Sequence, residues 1–144
     1  MFGPQRGPWL DDSWRGWWGK HPPFRTPVFA LTHHPRGPLV MSGGTTFHFV
    51  TGGIREAYER AMEAAGNSDV RVGGGVHTIR QYLADGLIDE MHLAIRPMLL
   101  RTGEHLLSGL NLPSLSYEIA ECSTTPSSVM YIVLRRQQQQ NLHQ

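Results

Sequence analysis

The sequence predicts an α/β fold, in which helices flank a mixed, mainly parallel sheet and an antiparallel hairpin ends the sheet at the C-terminus. Strand-like and helix-like segments alternate over residues 27–136, and strands that are joined through helices are usually parallel. Two β-rich segments, residues 116–122 and 129–135, are separated by a short polar loop. That spacing predicts the hairpin.

The first predicted elements are two strands and a helix. Residues 27–32 (PVFALT) are short and β-rich and are stopped by a His-His-Pro sequence, which predicts a buried strand. Residues 45–50 predict a second strand. Apolar residues then recur with helical spacing over residues 53–65, which predicts a helix with Thr51 as its N-cap and Gly66 as its stop.

The next predicted elements surround three consecutive glycines. Residues 69–72 predict a short strand that leads directly into the glycines, and a helix over residues 76–84 follows them and ends at Gly86. Residues 89–100 then predict a long strand, because apolar and other side chains alternate along it.

Composition limits the classes of protein that remain. The 144 residues suit one domain, and 13 basic against 12 acidic residues give a net charge of +1, which argues against nucleic acid as a partner. No apolar run reaches the length of a membrane span, and the single cysteine suits the cytoplasm. We expect one domain over residues 1–136 and a disordered polar tail over residues 137–144.

The strand–glycine–helix junction has two interpretations. A helix N-terminus carries unpaired N–H groups and partial positive charge, and glycines let phosphate oxygens approach the backbone, so the turn could hold a pyrophosphate. The alternative is a tight turn that needs glycine for a positive φ. The dinucleotide fingerprint G-x-G-x-x-G and the phosphate-loop pattern are both absent.

Other candidate constellations are weaker. The eight histidines form no H-x-x-x-H helix motif, so we expect no metal site, and His48 and His92 are interpreted as sheet residues. Asp89 and Glu90 are adjacent on a strand and should point to opposite faces. All four tryptophans lie within residues 1–26, where packing over the core is favoured over an aromatic wall for a ligand. We name no catalytic residue.

In combination, these segments resemble one family. The sequence VRVGGGVHTIRQYLADGLIDEMHLAIRPMLL is similar to the C-terminal reductase domain of riboflavin-biosynthesis deaminase–reductases, in the dihydrofolate-reductase-like superfamily. The resemblance continues upstream through WWGKHPPFRTPVFALTHHPR and GGTTFHFVTGGIREAYERA, and downstream through GEHLLSGL and MYIVLRR.

The resemblance implies an NADPH-dependent reductase of a small heterocycle, such as a pterin or the ribosylamino-pyrimidine of riboflavin synthesis. It implies two groups of cofactor-binding residues. The glycine-rich turn would hold the pyrophosphate through Val72, Gly73, Gly74, Gly75, Val76, His77 and Thr78. The end of the first strand and its loop would contact the adenosine and its 2′-phosphate through Leu31, Thr32, His33, His34 and Arg36.

The sequence also departs from the family pattern. Arg101 stands in a loop where relatives often have glycine, and Gly52 stands where they often have Asp. The opening strands of the family are missing, so we expect an N-terminally incomplete domain with unpaired strand edges, marginal stability and a tendency to form a homodimer. The alternative function is a non-catalytic remnant that retains dinucleotide binding or acts as a dimeric binding module.

Overall fold

A computed structural model describes residues 18–137. The chain divides into two compact units, residues 1–78 and 79–144. The predictions for residues 1–17, which include three tryptophans, and for residues 138–144 of the tail lie outside the described residues. The elements are β1 (Pro27–Leu31), β2 (Leu39–Val40), β3 (Thr46–Val50), α1 (Gly53–Ala65), α2 (Val76–Ala84), β4 (Glu90–Ile95), a 3-10 turn (Pro113–Leu115), β5 (Tyr117–Thr124) and β6 (Met130–Arg136).

The first unit contains a three-stranded sheet in the order β1-β3-β2. β1 runs parallel to β3, with Leu31 opposite Val50, and β2 pairs antiparallel with β3. The strands β1 and β3 and the helix α1 confirm the sequence predictions. β2 was not predicted, because a strand of two residues in a Pro- and Gly-rich segment has no periodicity to detect.

One face of this sheet forms a hydrophobic core. Its buried members are Ala30, Met41, Phe47 and Phe49, and Phe24, Val28 and Leu39 pack against them. Side chains alternate between the faces of a strand, so Phe29 and His48 lie on the opposite face, where their rings stack 5.1 Å apart. Arg60 of α1 places its guanidinium carbon 5.5 Å from the centre of the Phe29 ring. The helix therefore packs on that second face.

The ends of α1 only partly match the predicted caps. Gly52, not Thr51, occupies the N-cap position, and no side chain caps the helix there. The prediction of Thr51 as the cap is wrong, because the helix begins at Gly53 and the N-cap position therefore falls on Gly52, one residue after Thr51. Gly66 ends the helix as predicted, with φ of 59° and an N–H that donates to the carbonyl of Met62 at 3.0 Å.

The predicted strand over residues 69–72 is absent, and this prediction is wrong. The segment pairs with none of the described strands. A strand is stabilised by the ladder to its neighbour, so apolar, β-branched composition alone does not produce one. The helix that follows is present as predicted over Val76–Ala84.

The second unit contains an antiparallel sheet in the order β4-β6-β5. The hairpin of β5 and β6 confirms the prediction. β4 pairs with β6 with Met91 opposite Leu134 and Ile95 opposite Met130. The strand ends at Ile95 rather than at residue 100, because Pro97 has no N–H to donate to a ladder. Gln137, where the predicted tail begins, still donates its backbone N–H to the carbonyl of Ser116 at 2.7 Å.

The expectation of a mainly parallel sheet is also wrong for the described residues. Of their strand pairs only β1 with β3 is parallel, whereas β2 with β3, β4 with β6 and β5 with β6 are antiparallel. The parallel prediction depended on residues 69–72 forming a strand, and that strand is missing. The mixed α/β class stands. Within residues 18–137 no helix is long and apolar enough to cross a membrane.

Candidate functional site

Backbone strain does not explain the three glycines in the turn ahead of α2. Several glycines of the described chain have φ in the left-handed region, but Gly73, Gly74 and Gly75 are not among them. An L-residue could therefore adopt the backbone conformation of this turn. The interpretation that the turn needs glycine for a positive φ is wrong.

Packing within the protein explains only the middle glycine. A Cβ built on Gly74 would lie 3.1 Å from both Cβ and Cγ2 of Thr78, whereas a Cβ on Gly73 or Gly75 would meet nothing within 4 Å. The side chain that is missing at Gly73 and Gly75 therefore leaves open space beside the backbone. Such space lets an external group approach the main chain closely.

The start of α2 is electrostatically suited to an anion. The helix begins at Val76, directly after the glycines, and its first turn contains no acidic residue. The backbone N–H groups of a first helical turn have no partner inside the helix and carry partial positive charge. His77 is exposed and Thr78 is half-buried beside this helix end.

The end of β1 forms the second predicted group. Thr32 is buried, donates its N–H to the carbonyl of Val50 at 3.0 Å, and accepts the N–H of His34 on its Oγ1 at 3.1 Å. These bonds fix the chain where it leaves the sheet. Arg36 lies with its guanidinium carbon 5.7 Å from the centre of the Phe49 ring, which holds the charged group against the core face.

Both predicted groups lie in the first unit. Leu31 is half-buried at the end of β1 and His33 is exposed, while Val72 is half-buried ahead of the glycines. That both groups bind the same cofactor stays a prediction.

Sequence reasoning missed a residue that organises a loop of the second unit. Arg80 of α2 donates from Nη1 to the backbone carbonyls of His105, Leu106 and Ser108 at 2.9, 3.2 and 2.7 Å. A guanidinium that binds main-chain carbonyls needs no partner side chain, so no complementary charge marks the pair in the sequence. The one signal in the sequence was a basic residue next to Ile79, which belongs to the apolar positions of the predicted helix.

The exposed face of the second sheet carries a small charged network. Glu90 binds His92 Nε2 at 2.7 Å and Arg135 at 2.6 and 2.9 Å, and the hydrogen bonds from His92 and then Arg135 hold the pKa of Glu90 below its usual value. Asp89 pairs with Arg136 at 2.9 Å. The expectation that Asp89 and Glu90 do not converge is thus confirmed, as is the interpretation of His92 as a sheet residue with a partner. Residues 18–137 bring together no group of three or more potential metal ligands.

Comparison with known families gives one match. The family model of the RibD C-terminal domain matches residues 14–131, which include the glycine-rich turn, the end of β1 and most of the second sheet. No curated protein matches the chain significantly.

Proposed function

The chain belongs to the RibD C-terminal domain family, and on that premise we propose that it is an NADPH-dependent reductase of a small heterocycle. The substrate class we propose is a pterin- or dihydrofolate-like ring, or a 5-amino-6-(5-phosphoribosylamino)uracil-like pyrimidine of riboflavin synthesis. When bound, NADPH would supply the hydride for an imine or carbonyl carbon, and the protein would bind and orient both partners.

The observation that carries this proposal is the open space at Gly73 and Gly75. Neither glycine has a positive φ, and neither is required by a neighbouring atom of the protein. Glycine loses more conformational freedom on folding than any other residue. Its presence at two positions where the fold does not require it therefore favours a role in ligand binding. A pyrophosphate at the start of α2 fits that role, because its oxygens would accept from backbone N–H groups there.

The end of β1 and the loop after it would bind the adenosine part of the same cofactor. Arg36 can offer a planar fork of donors to a 2′-phosphate, and Phe49 supports its guanidinium from one side. His33 and His34 would approach the same phosphate from the loop, and Thr32 would position that loop through its bond to the N–H of His34.

NADPH binding to the full chain tests the proposal directly. We expect NADPH to quench tryptophan fluorescence and to give a calorimetric binding signal. Gly73→Ala and Gly75→Ala should each weaken binding about tenfold or more, because a methyl group would occupy the space that the phosphate oxygens need. Their melting temperatures should not fall, since the structure accommodates a Cβ at both positions.

Ser127→Thr is the matched control, because it adds one methyl group to an exposed loop residue far along the chain. It should leave both binding and stability unchanged. Saturating NADPH without any response would overturn the proposal, and so would full affinity in both alanine variants. NADPH oxidation in the presence of a pteridine or the pyrimidine then separates a reductase from the non-catalytic alternative, which binds without turnover.

A further inference from the structure

Basic side chains are concentrated in the first unit. The basic residues of the segment 18–55 are Lys20, Arg25, Arg36 and Arg55, and the segment contains no Asp or Glu. Lys20 and Arg25 are both exposed, and none of the ion pairs formed among residues 18–137 includes either of them. Cations without paired carboxylates create a positive potential that attracts anions.

A hydrogen bond places Lys20 and its neighbour against an exposed turn. The turn comprises residues 42–45, of which Ser42 is exposed. The Ser42 hydroxyl donates to the backbone carbonyl of Lys20 at 3.0 Å, and the same oxygen lies 3.3 Å from Nδ1 of His21. The chain at residues 20–21 is therefore fixed to one end of the turn.

A second hydrogen bond brings Arg25 to the other end of the same turn. The hydroxyl of Thr45, which is fully buried, donates to the backbone carbonyl of Phe24. Cβ of Arg25 lies 3.9 Å from the position that a Cβ would take on Gly44. Two anchored points thus set Lys20, His21 and Arg25 along the turn, and we call these three residues with the turn the basic cluster.

The basic cluster lies at the amino end of the parallel strand pair. Arg25 comes shortly before β1 and the turn comes directly before β3, and the two strands start side by side, with Pro27 opposite Thr46. Leu31, where the predicted adenosine-binding group begins, is at the other end of β1, about 13 Å away at the usual rise per residue. A ligand at the basic cluster would therefore occupy a different place from the adenosine of a cofactor.

Trp18 contributes an aromatic surface to the same segment of chain. Its ring makes a T-shaped contact with Phe24, with the ring centres 5.0 Å apart, and 52% of the residue is exposed. Phe24 is the residue whose carbonyl accepts the Thr45 bond, so the ring is held close to the basic cluster. Exposed aromatic side chains beside cations favour planar rings that carry phosphate.

We propose that the basic cluster is a second ligand site, which binds the phosphate of a small phosphorylated heterocycle while Trp18 stacks on its ring. Lys20, His21 and Arg25 face the phosphate, and Ser42 and Thr45 position them through the backbone. The site is separate from the glycine-rich turn and does not depend on NADPH binding.

Heteronuclear NMR on the full chain locates the site, with uridine 5′-monophosphate as the probe. We expect the amide signals of Gly43 and Gly44 and the indole N–H signal of Trp18 to shift on titration. Uridine, which lacks the phosphate, should bind much more weakly. The dissociation constant for the nucleotide should rise with salt concentration, because exposed charges are screened.

Charge substitutions test the cations. Lys20→Gln and Arg25→Gln should each raise the dissociation constant for the nucleotide about fivefold, the effect of losing one exposed charge. Their melting temperatures should not change, since both side chains are exposed. Arg101→Gln makes the same charge change at an exposed residue outside the basic cluster and should leave the affinity unchanged.

Trp18→Leu separates stacking from charge. It should weaken binding of the nucleotide about tenfold and leave the affinity for inorganic phosphate unchanged. Equal losses for both probes would contradict the stacking role.

Four results would overturn the proposal. They are no shift at Gly43 and Gly44, equal affinity for uridine and its monophosphate, full affinity in a Lys20→Gln, Arg25→Gln double variant, and much tighter binding of single-stranded oligouridylate, which would indicate a nucleic-acid site. Shifts confined to the amides of residues 73–75 would also overturn it, while leaving the cofactor proposal intact.

Discussion

The hydroxyl of Tyr117 donates a 2.6 Å hydrogen bond to the backbone carbonyl of Ile88. Tyr117 is 4% exposed and Ile88 is 9% exposed, and burial raises the pKa of the Tyr117 phenol. The bond joins the first residue of β5 to the segment that precedes β4. It therefore links the two outer strands of the second sheet at one end.

We expect Tyr117→Phe to lower the free energy of unfolding by about 1–3 kcal/mol, because it leaves the buried carbonyl of Ile88 without its partner. Denaturant unfolding measures the change. Tyr131→Phe is the control, since Tyr131 is 48% exposed and its hydroxyl can bond to water. Equal stabilities of the two variants would contradict the role assigned to the Tyr117 hydrogen bond.

Arg80→Met should loosen the loop at residues 105–108 without unfolding the sheet. The loop carbonyls lose hydrogen bonds from a charged donor, which contribute about 1.5–3 kcal/mol. The amide of Leu110, which donates to the carbonyl of Leu107 at 3.1 Å, should then exchange at least about tenfold faster. Arg101→Met removes an exposed guanidinium elsewhere and should leave that amide's exchange rate unchanged.

The Glu90 network should make stability depend on acid pH. The pKa of Glu90 in the folded chain lies below its ordinary value of 4.5, first because of the hydrogen bond with His92 and then because of the bond with Arg135. A carboxyl with a lowered folded pKa stabilises the fold above its unfolded pKa, and this contribution is lost as the pH falls through the folded pKa.

Glu90→Gln should therefore flatten the loss of stability below about pH 4.5, as measured by melting temperature across acid pH. Glu104→Gln, at an exposed residue, is the matched control and should keep the wild-type curve. A wild-type curve for Glu90→Gln as well would show that the network does not couple protonation to folding.

Gly86→Ala should destabilise the chain by about 1–2 kcal/mol, the cost of a left-handed conformation for an L-residue. Gly86 has φ of 64°, and its added Cβ would lie 3.3 Å from Nη1 of Arg136. Gly37→Ala is the control, because Gly37 has no positive φ and open space around its Cβ position. Thermal unfolding should separate the two variants clearly, and equal melting temperatures would contradict this explanation.

Periodicity predicted most of the elements that the structure contains. The helical spacing over residues 53–65 and the alternation of Met91 and Leu93 are properties of neighbouring residues, so they could be read without knowing the fold. The extent of β4 could be predicted less well, because Pro97 stops a ladder only where a partner strand would need its N–H. The segment of residues 69–72 has the composition of a strand but no described partner.

The candidate site, like the fold, could be predicted only in part from the sequence. The glycines and the helix after them could be located from the sequence, but two explanations for them remained open. The backbone angles of Gly73 and Gly75 and the space beside them decided against a strained turn. The role of Arg80 was not predictable, because it binds main-chain carbonyls that every residue carries.

The α/β class, the order of the helices and the C-terminal hairpin could be predicted from residue order alone, because they depend on the local spacing of apolar residues. The sequence also carried the resemblance to the family to which the chain belongs. Which strands pair, which carbonyls Arg80 binds and the fact that no positive φ explains the glycines at residues 73–75 could be established only from the folded chain. Those properties depend on which atoms lie next to one another after folding, and residue order does not specify such neighbours directly.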